Sequence, residues 1–188
     1  MIDKRIYLGR RTGLAALMAA AAVCGVGGQA LAATSGGVGT GGSGGSETSD
    51  EGVFPIRGHH TYGDGIGAGR DHQGQDIMAK CGKPVVAAQA GRIELVDYHP
   101  AAGNYVVVDG AGNAPDIAYM HLTDRASVRK REPVEAGDQL GTVGRTGNAS
   151  ACHLHFEMWS APGYYSGGSV IDPLPYLRRW DKSSSRRH

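Results

Sequence analysis

Between residues 53 and 178 the chain carries no long helical period. In its place stand short runs rich in β-branched and aromatic residues, at 84–88, 91–97, 105–109, 117–121, 139–143 and 153–159. Each is bounded by Gly, Pro, Asn or Asp. Runs of that length with that punctuation predict an all-β domain built from hairpins. The abundant glycines suit turns that need positive φ. Gly141-Thr142-Val143-Gly144-Arg145-Thr146-Gly147 is glycine-rich, but it lacks Gly-Lys-Ser/Thr and opens no helix, so it reads as turns and not as a phosphate loop.

The segments before residue 53 have a different character. Lys4, Arg5, Arg10 and Arg11 stand against one acid, Asp3, and an uncharged apolar run follows from Leu14 to Val26. Gln29-Ala30-Leu31-Ala32-Ala33 then supplies small residues in an A-x-A pattern. These are the three parts of a secretory signal peptide, expected to cover residues 1–32 and to be cut after Ala32. The apolar run is shorter than the ~20 residues of a spanning helix, and an uncleaved membrane anchor is the alternative, since small residues extend the weakly apolar stretch to Ala33. Arg10-Arg11 lacks a good twin-arginine continuation, and Cys24 lacks the Leu and small residue of a lipid-attachment site. Residues 33–52 are almost all Gly, Ser and Thr with a few acids, which predicts a flexible linker. One folded domain is expected over 53–178, with a disordered tail over 179–188.

Charge narrows the partners. The whole chain has 19 Lys+Arg and 18 Asp+Glu. Losing the leader leaves 15 and 17, a formal charge of −2. The remaining basic clusters are short (Arg129-Lys130-Arg131, Arg178-Arg179, Arg186-Arg187) and read as solvated surface, so nucleic acid is not an expected partner. Cys24 leaves with the leader, and the remaining pair, Cys81 and Cys152, reads as one disulfide in an exported protein.

Three local patterns carry the chemistry. His72 and Asp76 are four apart, ~13 Å on a straight strand, so they meet only if a turn at Gln73-Gly74 folds His72 back as a strand begins. In His153-Leu154-His155-Phe156-Glu157-Met158, strand alternation puts His153, His155 and Glu157 on one face and Leu154, Phe156 and Met158 on a core face. His121, in Tyr119-Met120-His121-Leu122, ends a predicted strand and gains weight only from its company. Together these offer a nitrogen, an oxygen and a second nitrogen donor, with two imidazoles to spare. Zinc accepts that set, and a catalytic zinc keeps three protein ligands and an open position. It acidifies water and polarises a carbonyl, while further histidines can move the protons. Cys152 beside His153 could be a thiol nucleophile only by giving up the disulfide.

These residues resemble the lysostaphin/LytM-type zinc endopeptidases, whose pattern is H-x-x-x-D, then an isolated His after a Tyr, then H-x-H followed by Phe-Glu. Gly137-Asp138-Gln139-Leu140-Gly141-Thr142-Val143-Gly144 and Ile171-Asp172-Pro173 are also similar to the family, and the likeness covers essentially all of 53–178. The resemblance implies that His72, Asp76 and His155 bind one zinc ion and that His121 and His153 are the catalytic pair. It implies a compact antiparallel β-sheet or sandwich of the duplicated-hybrid-motif type, with an open zinc groove. The activity implied is hydrolysis of peptidoglycan peptides by a secreted, wall-associated enzyme, expected to be a monomer with no stable membrane span after leader cleavage. Stem-peptide cross-links are preferred over glycine bridges as substrate. Cys81–Cys152 would tie the strand after Asp76 to the one carrying His153. A non-catalytic wall-binding protein or hydrolase activator is the rival class, and all five filled positions argue for an enzyme. His59-His60 is expected in a loop, and Tyr164-Tyr165 in a groove wall or surface loop.

Overall fold

The structure, a computed structural model, describes residues 52–69, 71–164 and 166–185. The expected leader, its cleavage site and nearly all of the Gly/Ser/Thr stretch lie outside the described residues, as do Arg70, Tyr165 and residues 186–188. Among the described residues, no helix is long and apolar enough to cross a membrane.

Ten strands and one helix follow in order: β1 (Thr61–Tyr62), β2 (Gln75–Met78), β3 (Pro84–Val86), β4 (Gly91–His99), β5 (Gly103–Gly110), β6 (Asp116–Leu122), β7 (Pro133–Val134), β8 (Gln139–Thr142), β9 (His153–Trp159), β10 (Val170–Ile171) and α1 (Leu174–Ser185). Eight of the strands form one antiparallel sheet in the order β1-β2-β9-β6-β5-β4-β7, with β10 also pairing β9. Strands β3 and β8 form a separate two-stranded sheet. The all-β, antiparallel expectation is met.

Strand β9 runs through the middle, and all seven of its residues are buried. Its Leu154, Phe156 and Met158 join the main core with Val106, Val108, Ile117 and Tyr119 of the neighbouring strands. Val85 and Leu140 of the small sheet and Leu177 and Trp180 of α1 belong to the same cluster, so these two elements cover that face. The Tyr119 ring meets Phe156 edge-on at 5.3 Å, and its hydroxyl accepts the Ala88 N–H at 2.7 Å. On the opposite face a smaller cluster of Ala102, Tyr105, Val107, Ala118, Met120, Trp159 and Tyr164 leaves room for polar groups.

Of the disordered tail expected over 179–188, the described part, 179–185, is corrected: α1 runs to Ser185, and its Trp180 is 1% exposed. Asp172 Oδ1 accepts the Leu174 N–H at 3.0 Å as an N-terminal cap. Leu177 and Trp180, three apart, then bury one stripe of the helix while Arg178 and Arg179 stay exposed. The basic and serine-rich surface of the helix hid that short stripe.

Cys81, just past β2, is joined to Cys152, just before β9, with 5.3 Å between Cα atoms. The bridge spans 71 residues, and loop-closure entropy gives it about 4 kcal/mol. Cys81→Ser with Cys152→Ser is expected to lower the unfolding free energy by about that amount in a urea titration.

Candidate metal centre

Strand register brings the first two groups together. In the β2–β9 pair Asp76 lies directly opposite His155 and Met78 opposite His153, so Asp76, His153 and His155 share a face. His72 arrives through the turn at 73–74. Gly74 is needed there by close approach: a Cβ would lie 2.5 Å from the Phe156 carbonyl oxygen and 3.0 Å from His155 Nε2. The result is His72 Nε2 at 3.1 Å and His155 Nδ1 at 2.9 Å from the same oxygen, Asp76 Oδ1. His153 Nε2 stands 3.6 Å from that atom.

His121 reaches this face by a different device. Val106 pairs with Tyr119 but Asn104 pairs with Leu122, so β6 carries one extra residue at Met120-His121. His121 sits in the left-handed region at φ 63°. This β-bulge resets the alternation. Leu122 falls into the core, fully buried, while Met120 and His121 both line the groove. The His121 and His153 rings lie 4.7 Å apart.

Each imidazole has one nitrogen engaged by a fixed acceptor. His72 Nδ1 donates to the Gly65 carbonyl at 2.9 Å, His121 Nδ1 to Thr146 at 2.8 Å, and His153 Nδ1 to Ala151 at 2.9 Å. His155 is reversed: its Nε2 donates to Glu157 Oε1 at 3.0 Å. These hydrogen bonds assign the tautomers of the neutral rings. They leave lone pairs on His72 Nε2 and His155 Nδ1, both against Asp76 Oδ1. With neutral rings all three atoms are acceptors; a proton on His155 satisfies them in the metal-free protein, and a metal ion can take its place. The three atoms lie within 4.8 Å of one another. Tetrahedral ligands of zinc, with bonds of about 2.0–2.1 Å, are roughly 3.3 Å apart, so the donor set fits that ion.

The metal-free titration follows the same contacts. Burial pushes Asp76 up, but the His155 hydrogen bond and the charges of His153, His155 and His72 bring it below the ordinary carboxylate value. Burial pushes His155 down, yet hydrogen bonds to Asp76 and Glu157, and the charges of both, raise it to about 9. His121 is pushed down to about 4, chiefly by burial, against the opposing Thr146 hydrogen bond. A depressed histidine contributes stability above its unfolded value of 6.5 and loses it as pH falls toward 4. A raised one contributes fully below 6.5 and loses its part as pH rises through 9. Metal-free protein is therefore expected to show its highest Tm near pH 6.5, with His121→Asn flattening the acid side; a thermal scan from pH 4 to 9 measures this.

All five sequence-predicted residues thus line one open groove of about 300 Å³, together with Asp71, Asn148, Glu157 and Tyr164. Tyr164 forms wall, buried with its ring edge-on to Trp159 at 5.0 Å. His60 lies elsewhere, stacked on Phe54 at 4.1 Å and 3.3 Å from Asp181 of α1. The Gly65, Thr146 and Ala151 carbonyls and the Glu157–His155 contact escaped the sequence reading. Only Glu157, on the same strand face two residues after His155, left a signal there.

Comparison with known proteins places these features. The Caulobacter vibrioides cell division protein DipM is 36% identical over 129 residues, covering 68% of this chain and 21% of DipM. The peptidoglycan DD-endopeptidase ShyA of Vibrio cholerae is 37% identical over 87 residues, covering 46% of this chain and 20% of ShyA. The chain thus spans about a fifth of the length of these relatives. The crystal structure of a zinc containing peptidase from Vibrio cholerae superposes with a TM-score of 0.58 at 26% identity, over 69% of this chain and 40% of that one. Residues 70–173, more than half of the chain and including all five groove residues, match Peptidase family M23, and the chain belongs to that family.

Proposed function

We propose that the chain is a secreted zinc metalloendopeptidase that hydrolyses peptide bonds in the stem-peptide cross-links of bacterial peptidoglycan. The observation that carries this reading is the meeting of His72 Nε2, Asp76 Oδ1 and His155 Nδ1 on the floor of an open groove, with two further imidazoles beside them. ShyA's activity as a peptidoglycan DD-endopeptidase supports the substrate class, and the basic, apolar and small-residue parts of 1–32 support export.

His72, Asp76 and His155 would hold the ion. Zinc, when bound, supplies Lewis acidity that acidifies water and polarises the scissile carbonyl. His153 and His121, each tied through Nδ1 to a backbone carbonyl, present Nε2 for proton work. One accepts the proton of the attacking water, and the other steadies the developing oxyanion or returns a proton to the leaving amine. The low pKa of His121 keeps it neutral and able to accept. Asp71 is the exposed charged residue among those described as lining the groove.

The test is digestion of purified peptidoglycan by the chain from residue 33, with products identified by mass spectrometry. His155→Ala and chelator-treated samples run beside it. Peptide-cleaved fragments that vanish in both controls are expected, and their masses name the bond. Zinc-loaded, folded protein that releases no fragments would replace this reading with that of a wall-binding protein or activator.

A further inference from the structure

Glu157 lies between two donors. Its Oε1 accepts from His155 Nε2 at 3.0 Å and its Oε2 from Trp159 Nε1 at 2.9 Å. Both partners are on β9, each two residues from Glu157, so all three side chains share the groove face of one strand. All three are at least nine-tenths buried. An indole N–H can only donate, so Oε2 is held as an acceptor whatever else changes. Trp159 is itself fixed by the Tyr164 ring at 5.0 Å. Tyr164 is pinned in turn, its backbone N–H donating to the buried Asp116 Oδ2 at 2.8 Å. Gly163 beside it has φ 107°, and a Cβ there would lie 2.4 Å from the same carboxylate oxygen, so the loop closes onto Asp116 only with glycine at that position.

We infer that Trp159 is a positioning residue for the metal centre: its indole orients the Glu157 carboxylate, which fixes the His155 tautomer with Nδ1 as the donor nitrogen. The inference rests on the zinc reading above. It extends the centre from the groove floor through Trp159 and Tyr164 to the loop between β9 and β10, so that one groove wall and one ligand are held by the same contacts. Outer carboxylates that orient metal-binding histidines are worth about 10–100-fold in metal affinity. The indole adds a directional constraint, because it decides which way an amide must face if one replaces the carboxylate.

Glu157→Gln exposes that constraint. The indole N–H captures the amide oxygen, turning the NH2 group toward His155 Nε2. That nitrogen must then accept, the ring proton moves to Nδ1, and the donor nitrogen facing Asp76 is lost. In Glu157→Gln/Trp159→Phe the indole is gone, the amide oxygen is free to turn to His155 Nε2–H, and the original tautomer returns. Zinc affinity, read by chelator competition, is expected to fall about 10–100-fold in Glu157→Gln. Most of that loss should be recovered in the double variant. Trp159→Phe alone should lose less than Glu157→Gln, since the carboxylate still accepts from His155.

The spectroscopic readout is long-range ¹H–¹⁵N NMR of the full chain: zinc-loaded unsubstituted protein should show His155 protonated at Nε2, and metal-free Glu157→Gln, at a pH where the ring is neutral, should show the proton on Nδ1. A double variant as weak as Glu157→Gln, or weaker, overturns the inference, because a merely structural role for the indole makes the two losses add. If Glu157→Gln does not fold, the unsubstituted protein still decides: a His155 proton on Nδ1 in the zinc-loaded state overturns the inference. Unsubstituted protein that binds no zinc overturns the metal reading itself, whereas normal zinc binding with an unaffected Glu157→Gln overturns the positioning role alone.

Discussion

Asp76→Ala is expected to leave the domain folded while lowering its zinc affinity roughly 10³-fold, and with it all peptide cleavage. The magnitude is about a third of the ~10–16 kcal/mol typical of protein zinc sites, at 1.4 kcal/mol per decade. The fold should survive because Asp76 is placed by backbone pairing of β2 with β9, which alanine maintains, and its side chain points to the groove cluster and away from the main core. The site should not survive, because one oxygen is the meeting point. Asp76 Oδ1 lies at 3.1 Å from His72, 2.9 Å from His155 and 3.6 Å from His153, and among the described residues no other carboxylate is shared by these rings. Removing it leaves imidazole lone pairs facing one another. Metal-free Asp76→Ala should also lose part of the alkaline fall in stability, since His155 keeps Glu157 but loses the Asp76 contribution to its raised pKa. Chelator competition and fragment release measured on the same sample check the prediction. Unchanged zinc affinity would move the metal away from His72 and His155, and with it the proposed roles of every residue in the groove.

Which parts of this centre could be read from the chain depended on how local their causes are. Strand β9 was legible to the residue, because its alternation of histidine and glutamate with leucine, phenylalanine and methionine is a property of neighbours. The approach of His72 to Asp76 was also legible, since a glycine between residues that must meet admits few geometries. Strands β1, β7 and β10 were not, being two residues each and formed only where a longer strand offers an edge. Helix α1 was missed because its apolar stripe is narrow, and Trp180 is buried by a sheet distant in sequence. The tautomers were invisible for a related reason. Gly65, Thr146 and Ala151 contribute carbonyl oxygens, which every residue possesses, so no residue type announces them. Glu157 was placed on the correct face, but its grip on His155 and Trp159 depends on rotamers that alternation does not specify.

His121 illustrates both sides of that division and carries the second large effect. A histidine at a strand end after tyrosine is visible in the sequence, yet regular alternation from Tyr119 would send residue 121 to the core face. The extra residue in β6 and φ 63° at His121 turn it to the groove instead. Left-handed backbone costs an ordinary residue about 1–2 kcal/mol, and asparagine tolerates it better than most. His121→Asn is therefore the variant that removes the imidazole while respecting the bulge. Its kcat is expected to fall about 10²–10⁴-fold, the range of a general acid–base contribution, with zinc affinity within threefold of the unsubstituted protein. Thermal stability of the zinc-loaded form should be nearly unchanged, because Leu122 keeps its core position. His121→Gly should lose activity to the same extent while gaining stability from relief of the left-handed backbone. A kcat loss that tracks zinc loss across these variants would make His121 part of the metal-holding set. Retained kcat in His121→Asn would leave His153 as the sole proton carrier, with His121 serving only to pack the groove through its 2.8 Å bond to Thr146.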